Sequence, residues 1–556
     1  MDIAQSTIEE ENLDFQFAQR GLKVIWDTGA YDFLQDEASD TANPSLWRQG
    51  QLCSVTAGLY HVTDGVYQVR GFDLANMSIV QIPSSNGIII IDCLTSVETA
   101  RRALQLFLDF YQDRTGQEAD IKALFYTHCH VDHFGGAQAI VDIAAKVGTT
   151  LRIISPYGFL EHAVSENVYA GPAMALRSIY MHGEALRKNP VGQIGCGLGP
   201  ALSTGTSSLV APLEVVTKNG LLDPEILGLQ VICQLTPGTE APAKLNFYFP
   251  DYNALCMAEN ATHTLHNIQT LRGAPVRDAR LWSRYLDESI TLFGDKTDVV
   301  FSSHHWPTWN GEADSGTNVV KFLSEQRDYY AYLHNETLRQ LKDGKTPLEI
   351  AEDIVMPPTL SVRTNLQGYY GSISHNVKGV YDHYVGSFIG NPAYLWPLAP
   401  VDEATEFVKC MGGSQSVLEK AQAYHAEKNL RFAATLLDKL VFATQSSADE
   451  KDSEVAKQAK EELAAVYTVL GCSTENGTWR NFFLTGAFEL QNGAQAAVNT
   501  ISPQSLMALE FDQLFDIVAV RINGPEAFKE PVKYLEKEIS IDFLVEDVEH
   551  FKIMGA

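Results

Sequence analysis

The stretch His128-Cys129-His130-Val131-Asp132-His133 places three imidazoles and one carboxylate within six positions. The apolar residues 123–126 just before it predict a buried strand, and Gly135-Gly136 just after it open a helical pattern that continues to residue 147. Imidazole nitrogens and carboxylate oxygens are ligands that Zn²⁺ prefers in proteins. The sequence therefore predicts a metal site in a loop between a strand and a helix.

The spacing within this stretch predicts which residues bind each of two metal ions. Side chains at positions i and i+2 of an extended chain lie on one face, so His128 and His130 can converge on one ion. Asp132 and His133, where the chain turns, can reach a second ion. Cys129 points to the opposite face, and we interpret it as a packing residue.

Further ligands are expected at the ends of later strands, because four ligands seldom complete a two-metal site. Glu240, Glu259 and His304 each follow a short apolar run. An acid or a histidine there is costly to bury unless it is paired or bound to a metal. Each alone could instead cap a turn or a helix, or be a hydrogen-bonded core histidine, but together with the first stretch they favour coordination. His305 competes with His304, because adjacent residues at a strand end face opposite ways.

A second group of polar residues follows Glu259 along the chain. Its members are His263, His266, Asn267, Arg272 and Arg277. The planar guanidinium of arginine suits a tetrahedral oxyanion, so the group predicts recognition of an anion beside the metal. His266 or His263 could supply a proton there. The alternative, in which Arg277 pairs with an acid on a solvated helix, explains one arginine but not the group.

Composition restricts the class of partner and the compartment. The 556 residues carry 41 basic and 69 acidic side chains, a net charge of −28, which argues against nucleic acid or an anionic membrane as a partner. No apolar run approaches the length of a membrane span, and residues 1–11 lack the basic start of a secretory signal. Eight scattered cysteines without a C-x-x-C pair predict reduced thiols in a cytoplasmic protein.

Hydrophobic periodicity predicts a layered α/β domain up to about residue 310, where short apolar runs alternate with helical patterns. The predicted strands are 66–69, 78–82, 87–91, 121–126, 231–235, 245–249 and 299–301, and the first long helix is 96–111. Residues 192–205, which are rich in Gly, Ser and Thr, predict a surface loop.

From Asn318 onward the pattern is helical. Residues 319–341 form one predicted helix, and another begins at Pro347 and ends at Pro357-Pro358. Four more are predicted near 401–411, 413–426, 429–444 and 452–470, which together indicate a helical bundle. The tail, residues 495–556, mixes helical signals with a predicted strand at 539–544 and predicts a small α+β module.

Taken together, these motifs resemble one known family. The stretch at 128–133 matches the H-x-H-x-D-H signature of the metallo-β-lactamase superfamily. Other motifs resemble the zinc-dependent alkyl sulfatases of class III, and they lie at 180–181, 198–206, 237–242, 259–277, 303–307, 326–328, 368–371 and 374–376. The similarity covers nearly the whole chain.

The resemblance implies an architecture of three parts. Residues 1–315 would form a metallo-β-lactamase-like catalytic domain with an αββα sandwich, and residues 316–490 an all-α dimerisation domain. Residues 491–556 would form a shortened, sterol-carrier-like α+β region. The fold class is therefore α/β with a helical second domain, and the dimerisation domain implies a homodimer.

The resemblance also implies roles for single residues. Those that would hold two zinc ions are His128, His130 and Glu240 for one, Asp132, His133 and His304 for the other, and Glu259 between them. Those that would bind the sulfate head are Asn267, Arg272, Arg277 and Tyr370. His266 would protonate the ester oxygen.

These roles predict hydrolysis of alkyl sulfate esters to an alcohol and inorganic sulfate by water activated between two Zn²⁺ ions per chain. Two alternatives stay open. One is a metallo-β-lactamase-fold hydrolase of a lactone, thioester or phosphoester, although the arginines argue against neutral substrates. The other is a non-catalytic lipid-binding protein, in which ligands should be missing, and none is.

Overall fold

The computed structural model describes residues 16–17, 23–54, 57–146, 148–149, 151–222, 227–311, 317–445, 450–494 and 506–529. The chain divides into two units, Met1–Ala508 and Leu509–Ala556. The first unit contains every candidate site residue predicted from the sequence.

Seven strands form the larger of two facing β-sheets and pair in chain order. Their bounds are Gly58–Thr63, Val66–Arg70, Met77–Gln81, Gly87–Ile91, Asp120–Phe125, Arg152–Pro156 and Glu214–Val216. The first four strands are antiparallel, and the pairs from Gly87–Ile91 onward are parallel. Gly87–Ile91 is buried along its whole length, as expected for a parallel strand that is covered on both faces.

Six strands form the second sheet, again in chain order. Their bounds are Gly220–Leu221, Ile232–Leu235, Leu245–Phe249, Ala254–Cys256, Val299–Phe301 and Thr308–Trp309. One internal pair, Ala254–Cys256 with Val299–Phe301, is parallel. The predicted strands 87–91, 245–249 and 299–301 have the observed bounds, and the other predicted strands differ by one residue at one or both ends.

The two sheets pack face to face around one apolar core. Phe125 of the first sheet and Phe247 of the second are fully buried, with ring centroids 5.1 Å apart. The helix Val97–Thr115 covers the outer face of the first sheet. The helix Ala279–Phe293 covers the second, where Phe293 stacks on a strand residue at 4.9 Å. This arrangement is the predicted αββα sandwich.

A glycine pair after the ligand stretch permits a close approach of two backbones. Val131–Phe134 is a short helix, and the helix predicted beyond the glycines is Ala137–Lys146. A Cβ on Gly136 would clash with the carbonyl oxygen of Cys93, so only glycine fits at this position. The ligand stretch is therefore held against the residues that follow Gly87–Ile91.

Helices dominate the described residues between 317 and 494. Their bounds are Asn318–Lys342, Pro347–Asp353, Pro358–Ser361, Ile373–Val385, Pro400–Cys410, Ser414–Ala426, Leu430–Thr444, Glu450–Ser473 and Gly477–Asn492. The helix that begins at Pro347 ends before the predicted stop, and Pro358 instead begins a new short helix, because proline suits a first helical turn. Asn318–Lys342 packs on the sandwich, where Tyr330 stacks on Trp282 at 4.3 Å. Other α-helices described in the first half of the chain are Pro44–Ser54, Phe159–Val164 and Gly171–His182, with a π-helical turn at Ser165–Tyr169.

The prediction of a surface loop at residues 192–205 is wrong. Residues 193–200 are buried. The side-chain amide of Gln193 donates to the carbonyl oxygen of Pro200 over 2.7 Å, and the Asp73 carboxylate accepts from both the backbone N–H and the hydroxyl of Ser203. These internal partners replace water for the polar groups of the segment, so it can form an inner wall.

The described part of the second unit contains the helices Phe511–Ala519 and Gly524–Lys529. The predicted strand at 539–544 lies outside the described residues. None of the described helices combines the length and the apolar character that a membrane crossing requires. All eight cysteines are free thiols, as predicted.

Candidate metal centre

The candidate metal ligands all follow the ends of strands. Residues 128–133 follow the strand Asp120–Phe125, and Glu240 follows Ile232–Leu235. Glu259 follows Ala254–Cys256, and His304 follows Val299–Phe301. An isolated bridge between His128 and Lys244 joins the two sheets there. Seven ligand candidates from four separate segments are thereby brought to one edge of the sandwich.

Four of these side chains form a first group whose ligand atoms lie within 4.8 Å of one another: His128, His130, Glu240 and Glu259. Nε2 of His128 is 3.2 Å from Oε2 of Glu240 and 3.2 Å from Oε2 of Glu259. Nδ1 of His130 is 2.9 Å from Oε1 of Glu240. All four residues are buried.

The second group contains Asp132, His133 and His304. Oδ2 of Asp132 is 3.2 Å from Nε2 of His133 and 3.5 Å from Nε2 of His304. Glu259 also reaches this group, since its two carboxylate oxygens lie 3.4 Å from Nε2 of His133 and 3.5 Å from Nε2 of His304. Glu259 therefore lies between the two groups.

The donor set fits metal ions. Three imidazole nitrogens that face the other candidate ligands are buried and make no hydrogen bond: Nε2 of His128, His133 and His304. Buried polar atoms without a partner are rare in folded proteins. Imidazoles and carboxylates at this density are the ligands that a pair of divalent metal ions would use.

Asp92 orients two of the candidate ligand histidines, one directly and one through Thr127. Its Oδ2 lies 2.8 Å from Nδ1 of His133, and it accepts a hydrogen bond from the hydroxyl of Thr127 over 2.8 Å. That hydroxyl lies 2.8 Å from Nδ1 of His128. Such outer partners fix the tautomer and the orientation of ligand histidines. Asp92 adopts a left-handed backbone (φ 58°), which is uncommon outside glycine and occurs often at functional sites.

Charges inside the site keep the carboxylates ionised. Nζ of Lys244 lies 2.6 Å from Oε2 of Glu240, and both residues are buried. Burial and the charge of Glu259 would raise the pKa of Glu240, but the charges of His130 and Lys244 outweigh them and hold it well below its usual range. Burial lowers the pKa of His128 to about 3, so its imidazole is neutral, which is the form that binds metals.

Two arginines lie beside the first group. Nη2 of Arg277 is 2.7 Å from Oε1 of Glu240, and its Nη1 donates to the side chain of Asn267. Nη1 of Arg272 is 3.1 Å from Oε2 of Glu166. Burial would raise the pKa of Glu166, but the neighbouring charges of Arg272 and His130 lower it to about 2. Each arginine is thus held by a buried carboxylate.

A cavity of ≈ 380 Å³ opens onto both ligand groups and both arginines. Its charged and polar lining includes His130, Asp132, Glu240, Glu259, Arg272, Arg277 and Tyr370. Its apolar lining includes Leu74, Phe134, Val168, Ile179, Leu202 and Leu209. Asn267 contacts Arg277 without being part of this lining, which places it behind the arginine. The cavity can therefore receive a molecule with an anionic head and an apolar body.

His266 lies beside Glu259. Its Nε2 is 2.8 Å from Oε1 of Glu259, and its ring meets the ring of Tyr370 edge to face at 5.0 Å. Burial lowers the pKa of His266, which favours the neutral imidazole. In that form Nε2–H can donate to Glu259 and fix this carboxylate.

His263, the alternative proton donor predicted from the sequence, makes its ring contacts away from the two ligand groups. The His263 ring stacks on Trp306 at 4.7 Å, and its Nε2 lies 3.2 Å from the hydroxyl of Thr308. Residues 263–266 are not helical, so a spacing of three does not bring the two histidines to one face. His305 also turns away from the cluster, since its Nδ1 accepts from the backbone N–H of His263. His304 is the one of that pair that reaches the ligands.

Asp92, Lys244 and Glu166 are parts of the site that sequence reasoning missed. Asp92 directly follows the strand Gly87–Ile91, so the strand-end rule that selected Glu240 could have found it. Lys244 and Glu166 give no comparable sequence signal.

Three family models match the chain. The metallo-beta-lactamase superfamily matches residues 70–304, the alkyl sulfatase dimerisation family 346–493, and the alkyl sulfatase C-terminal family 499–554. A linear primary-alkylsulfatase of a Pseudomonas species is 44% identical over 508 residues, covering 90% of this chain and 72% of that protein. The chain belongs to the alkyl sulfatase family.

Other relatives agree with this membership. An (R)-specific secondary-alkylsulfatase of a Pseudomonas species is 39% identical over 530 residues (92% of this chain, 76% of that protein), and an alkyl/aryl-sulfatase of Saccharomyces cerevisiae is 40% identical over 505 residues (91% and 75%). The solved structure of a stereoselective inverting sec-alkylsulfatase from a Pseudomonas species matches with a TM-score of 0.84 at 40% identity, covering 92% of this chain and 78% of that one. This alkyl sulfatase family member therefore has the catalytic sandwich, the helical dimerisation region and the C-terminal region that its sequence predicted.

Proposed function

We propose that this protein hydrolyses alkyl sulfate esters with two zinc ions per chain, by the reaction R-O-SO₃⁻ + H₂O → R-OH + HSO₄⁻. The observation that carries the proposal is one cavity whose lining combines members of both ligand groups with two arginines and an apolar wall. The relatives named above are alkylsulfatases. The arginines favour an anionic substrate over a lactone or a thioester.

The residues that would hold the ions are those of the two groups: His128, His130 and Glu240 for one, Asp132, His133 and His304 for the other, and Glu259 shared. When bound, such a pair of ions lowers the pKa of water and makes a nucleophile available near neutral pH. Asp92 and Thr127 keep the histidines in a fixed tautomer, so the ligand nitrogens need no reorganisation.

Substrate binding is assigned to the arginine side of the cavity. Arg272 and Arg277 neutralise the sulfate head and stabilise the negative charge that develops as the ester bond breaks. Asn267 acts through Arg277, to which it is hydrogen bonded. Tyr370 contributes a buried hydroxyl, and burial raises its pKa well above the usual range, so it remains a donor. The apolar wall receives the alkyl chain.

We assign two roles to His266. It holds the Glu259 carboxylate in position, and it transfers a proton at the ester oxygen. Its Nε2 contact with Glu259 supports the first role. Sulfate is a good leaving group, so cleavage of the C–O bond makes a smaller demand on an acid than cleavage of most esters. Loss of His266 should therefore reduce turnover without removing the metal.

A homodimer is the assembly that we assign to this protein. The segment between the helices Ile373–Val385 and Pro400–Cys410 lies inside the region matched by the dimerisation family. It exposes Tyr394, Leu395, Trp396 and Leu398 by 60%, 71%, 94% and 57%. Contiguous apolar surface of this kind marks protein contact sites, and a second copy would cover it. The eight free thiols favour a reducing, cytoplasmic compartment.

Product analysis tests the reaction. Purified protein incubated with octyl or decyl sulfate should release the alcohol and inorganic sulfate in equal amounts. In ¹⁸O-labelled water, label in the alcohol shows cleavage of the C–O bond, and label in sulfate shows cleavage of the S–O bond. Hydrolysis of lactones without release of sulfate would refute the proposal.

A further inference from the structure

The π-helical turn Ser165–Tyr169 forms part of the cavity wall. π-helical turns are rare and occur frequently at functional sites. This turn carries Glu166, whose side chain is only 5% exposed. Glu166 has no part in the reaction as assigned above, so its burial beside the site requires an explanation.

Glu166 joins the metal side of the cavity to the arginine side. Its Oε2 lies 3.1 Å from Nη1 of Arg272 and 3.7 Å from Nε2 of His130. Its Oε1 is buried and makes no hydrogen bond. A carboxylate in a cavity that receives an anion repels that anion. The role of Glu166 must therefore lie in the residues that it holds in position.

The first residue that Glu166 holds is His130. Nδ1 of His130 faces Glu240 inside the ligand group, so Nε2 is the nitrogen that faces Glu166. A metal-bound histidine almost always donates its other ring N–H to a carboxylate, a carbonyl or water, which fixes the ring and its tautomer. At 3.7 Å from Nε2, the Glu166 carboxylate faces this ring nitrogen as a charged neighbour, without a formed hydrogen bond.

The second residue is Arg272. Its side chain is 18% exposed, and Nη1 also donates to the carbonyl oxygen of Gly273 over 2.9 Å. An arginine side chain has many rotamers, and ordering each such side chain on binding has an entropic cost. A fixed carboxylate at 3.1 Å orders the guanidinium before the anion arrives.

We propose that Glu166 is a positioning residue that holds His130 for a metal ion and Arg272 for the sulfate head. The inference rests on the proposed function, because it takes the anion to be a sulfate. Glu166→Gln keeps the size of the side chain and removes its charge. Glu184→Gln is the matched control, since Glu184 lines the same cavity and no ion pair joins it to His130 or Arg272 among the described residues.

The first test measures zinc affinity by competition with a chromophoric chelator, without substrate. Glu166→Gln should lower the affinity about ten- to hundredfold, as expected for loss of an outer partner of a ligand histidine. Glu184→Gln should match the unmodified protein. Unchanged affinity in Glu166→Gln would overturn the role assigned toward His130. If this variant does not fold, Glu166→Asp, which keeps the charge but shortens the reach, should show a smaller loss in the same direction.

The second test measures binding of inorganic sulfate to the zinc-loaded protein by calorimetry, in a double-mutant cycle. Glu166→Gln should weaken sulfate binding about tenfold when Arg272 is present and should have no effect in the Arg272→Ala background. An equal effect in both backgrounds, or tighter binding in Glu166→Gln, would overturn the role assigned toward Arg272.

Neither test requires turnover, so the two proposals can fail separately. A protein that gives the expected zinc and sulfate results but does not hydrolyse alkyl sulfates contradicts the proposed function and leaves the role of Glu166 in place. A protein that hydrolyses alkyl sulfates while Glu166→Gln behaves as the unmodified chain contradicts only the role of Glu166.

Discussion

Arg277 and Glu240 form a buried ion pair in which Nη2 of the arginine lies 2.7 Å from Oε1 of the carboxylate. The same oxygen is 2.9 Å from Nδ1 of His130, and the other carboxylate oxygen is 3.2 Å from Nε2 of His128. A residue assigned to the sulfate and a residue assigned to the metal thus share one contact. A change at Arg277 is therefore expected to affect both functions.

Arg277→Lys should raise the KM for alkyl sulfates about tenfold and lower the free energy of unfolding by about 2 kcal/mol. Lysine keeps the charge but cannot reproduce the planar fork that contacts both Glu240 and Asn267. Steady-state kinetics and urea unfolding measure the two effects. Arg280→Lys is the control, because Arg280 is exposed on the next helix. A normal KM in Arg277→Lys would contradict the sulfate-binding role.

His266→Ala should lower kcat by about a hundredfold or more, because its imidazole contacts Glu259 and is assigned to proton transfer. His263→Phe should retain kcat, since the His263 ring packs on Trp306 and Phe322 rather than on the ligands. Single-turnover and steady-state rates of the two variants measure this difference. Equal losses in both variants would show that His263 takes part in the chemistry.

The stability of the metal-free protein should fall in acid partly because of His263. Burial lowers the pKa of His263 to about 4, below the value of about 6.5 in an unfolded chain. The unfolded state therefore binds more protons below about pH 6.5, so this contribution is complete above that pH and is lost as the pH falls toward 4. The decrease in the free energy of unfolding between pH 7 and pH 5 should be about 2 kcal/mol smaller in His263→Phe than in the unmodified protein.

Urea unfolding at the two pH values, with a chelator present throughout, checks this expectation. The chelator is needed because acid also protonates the metal ligands. If the free energy of unfolding changes equally with pH in the unmodified protein and in His263→Phe, then His263 is not the group that titrates.

Trp396→Asp should shift the protein toward the monomer. Trp396 is 94% exposed on a segment with three further exposed apolar side chains, and a charge there would be buried without a partner in a dimer. Sedimentation velocity measures the change. Tyr157→Asp is the matched control, since Tyr157 is 72% exposed but lies outside that segment. A dimer that persists in Trp396→Asp would place the interface elsewhere.

The sequence allowed prediction of the strands and of the ligand group because both leave local signals. Gly87–Ile91 and Val299–Phe301 are short apolar runs, and each is followed by a polar residue of the site, Asp92 or His304. The carboxyl ends of such strands meet at one edge of a sandwich. That these residues lie close to one another could therefore be predicted without knowledge of their contacts.

Other features depend on contacts between distant segments and leave no local signal. The segment 192–205 has the composition of a surface loop, but Asp73, which is 130 residues from Ser203, satisfies its polar groups and allows its burial. Glu166 is linked to Arg272 across 106 residues. The choice between His263 and His266 depended on an irregular backbone, for which neither helical nor strand periodicity applies.

Stepwise return of zinc to the metal-free protein is the most direct test of metal-dependent sulfate ester hydrolysis. Protein stripped with a chelator should release no sulfate from decyl sulfate, and release should rise with added zinc until about two ions per chain are bound. His128→Ala and Asp132→Ala, which remove one ligand from each group, should not regain full activity at that stoichiometry. Undiminished sulfate release by the stripped protein, or by both variants, would contradict the account.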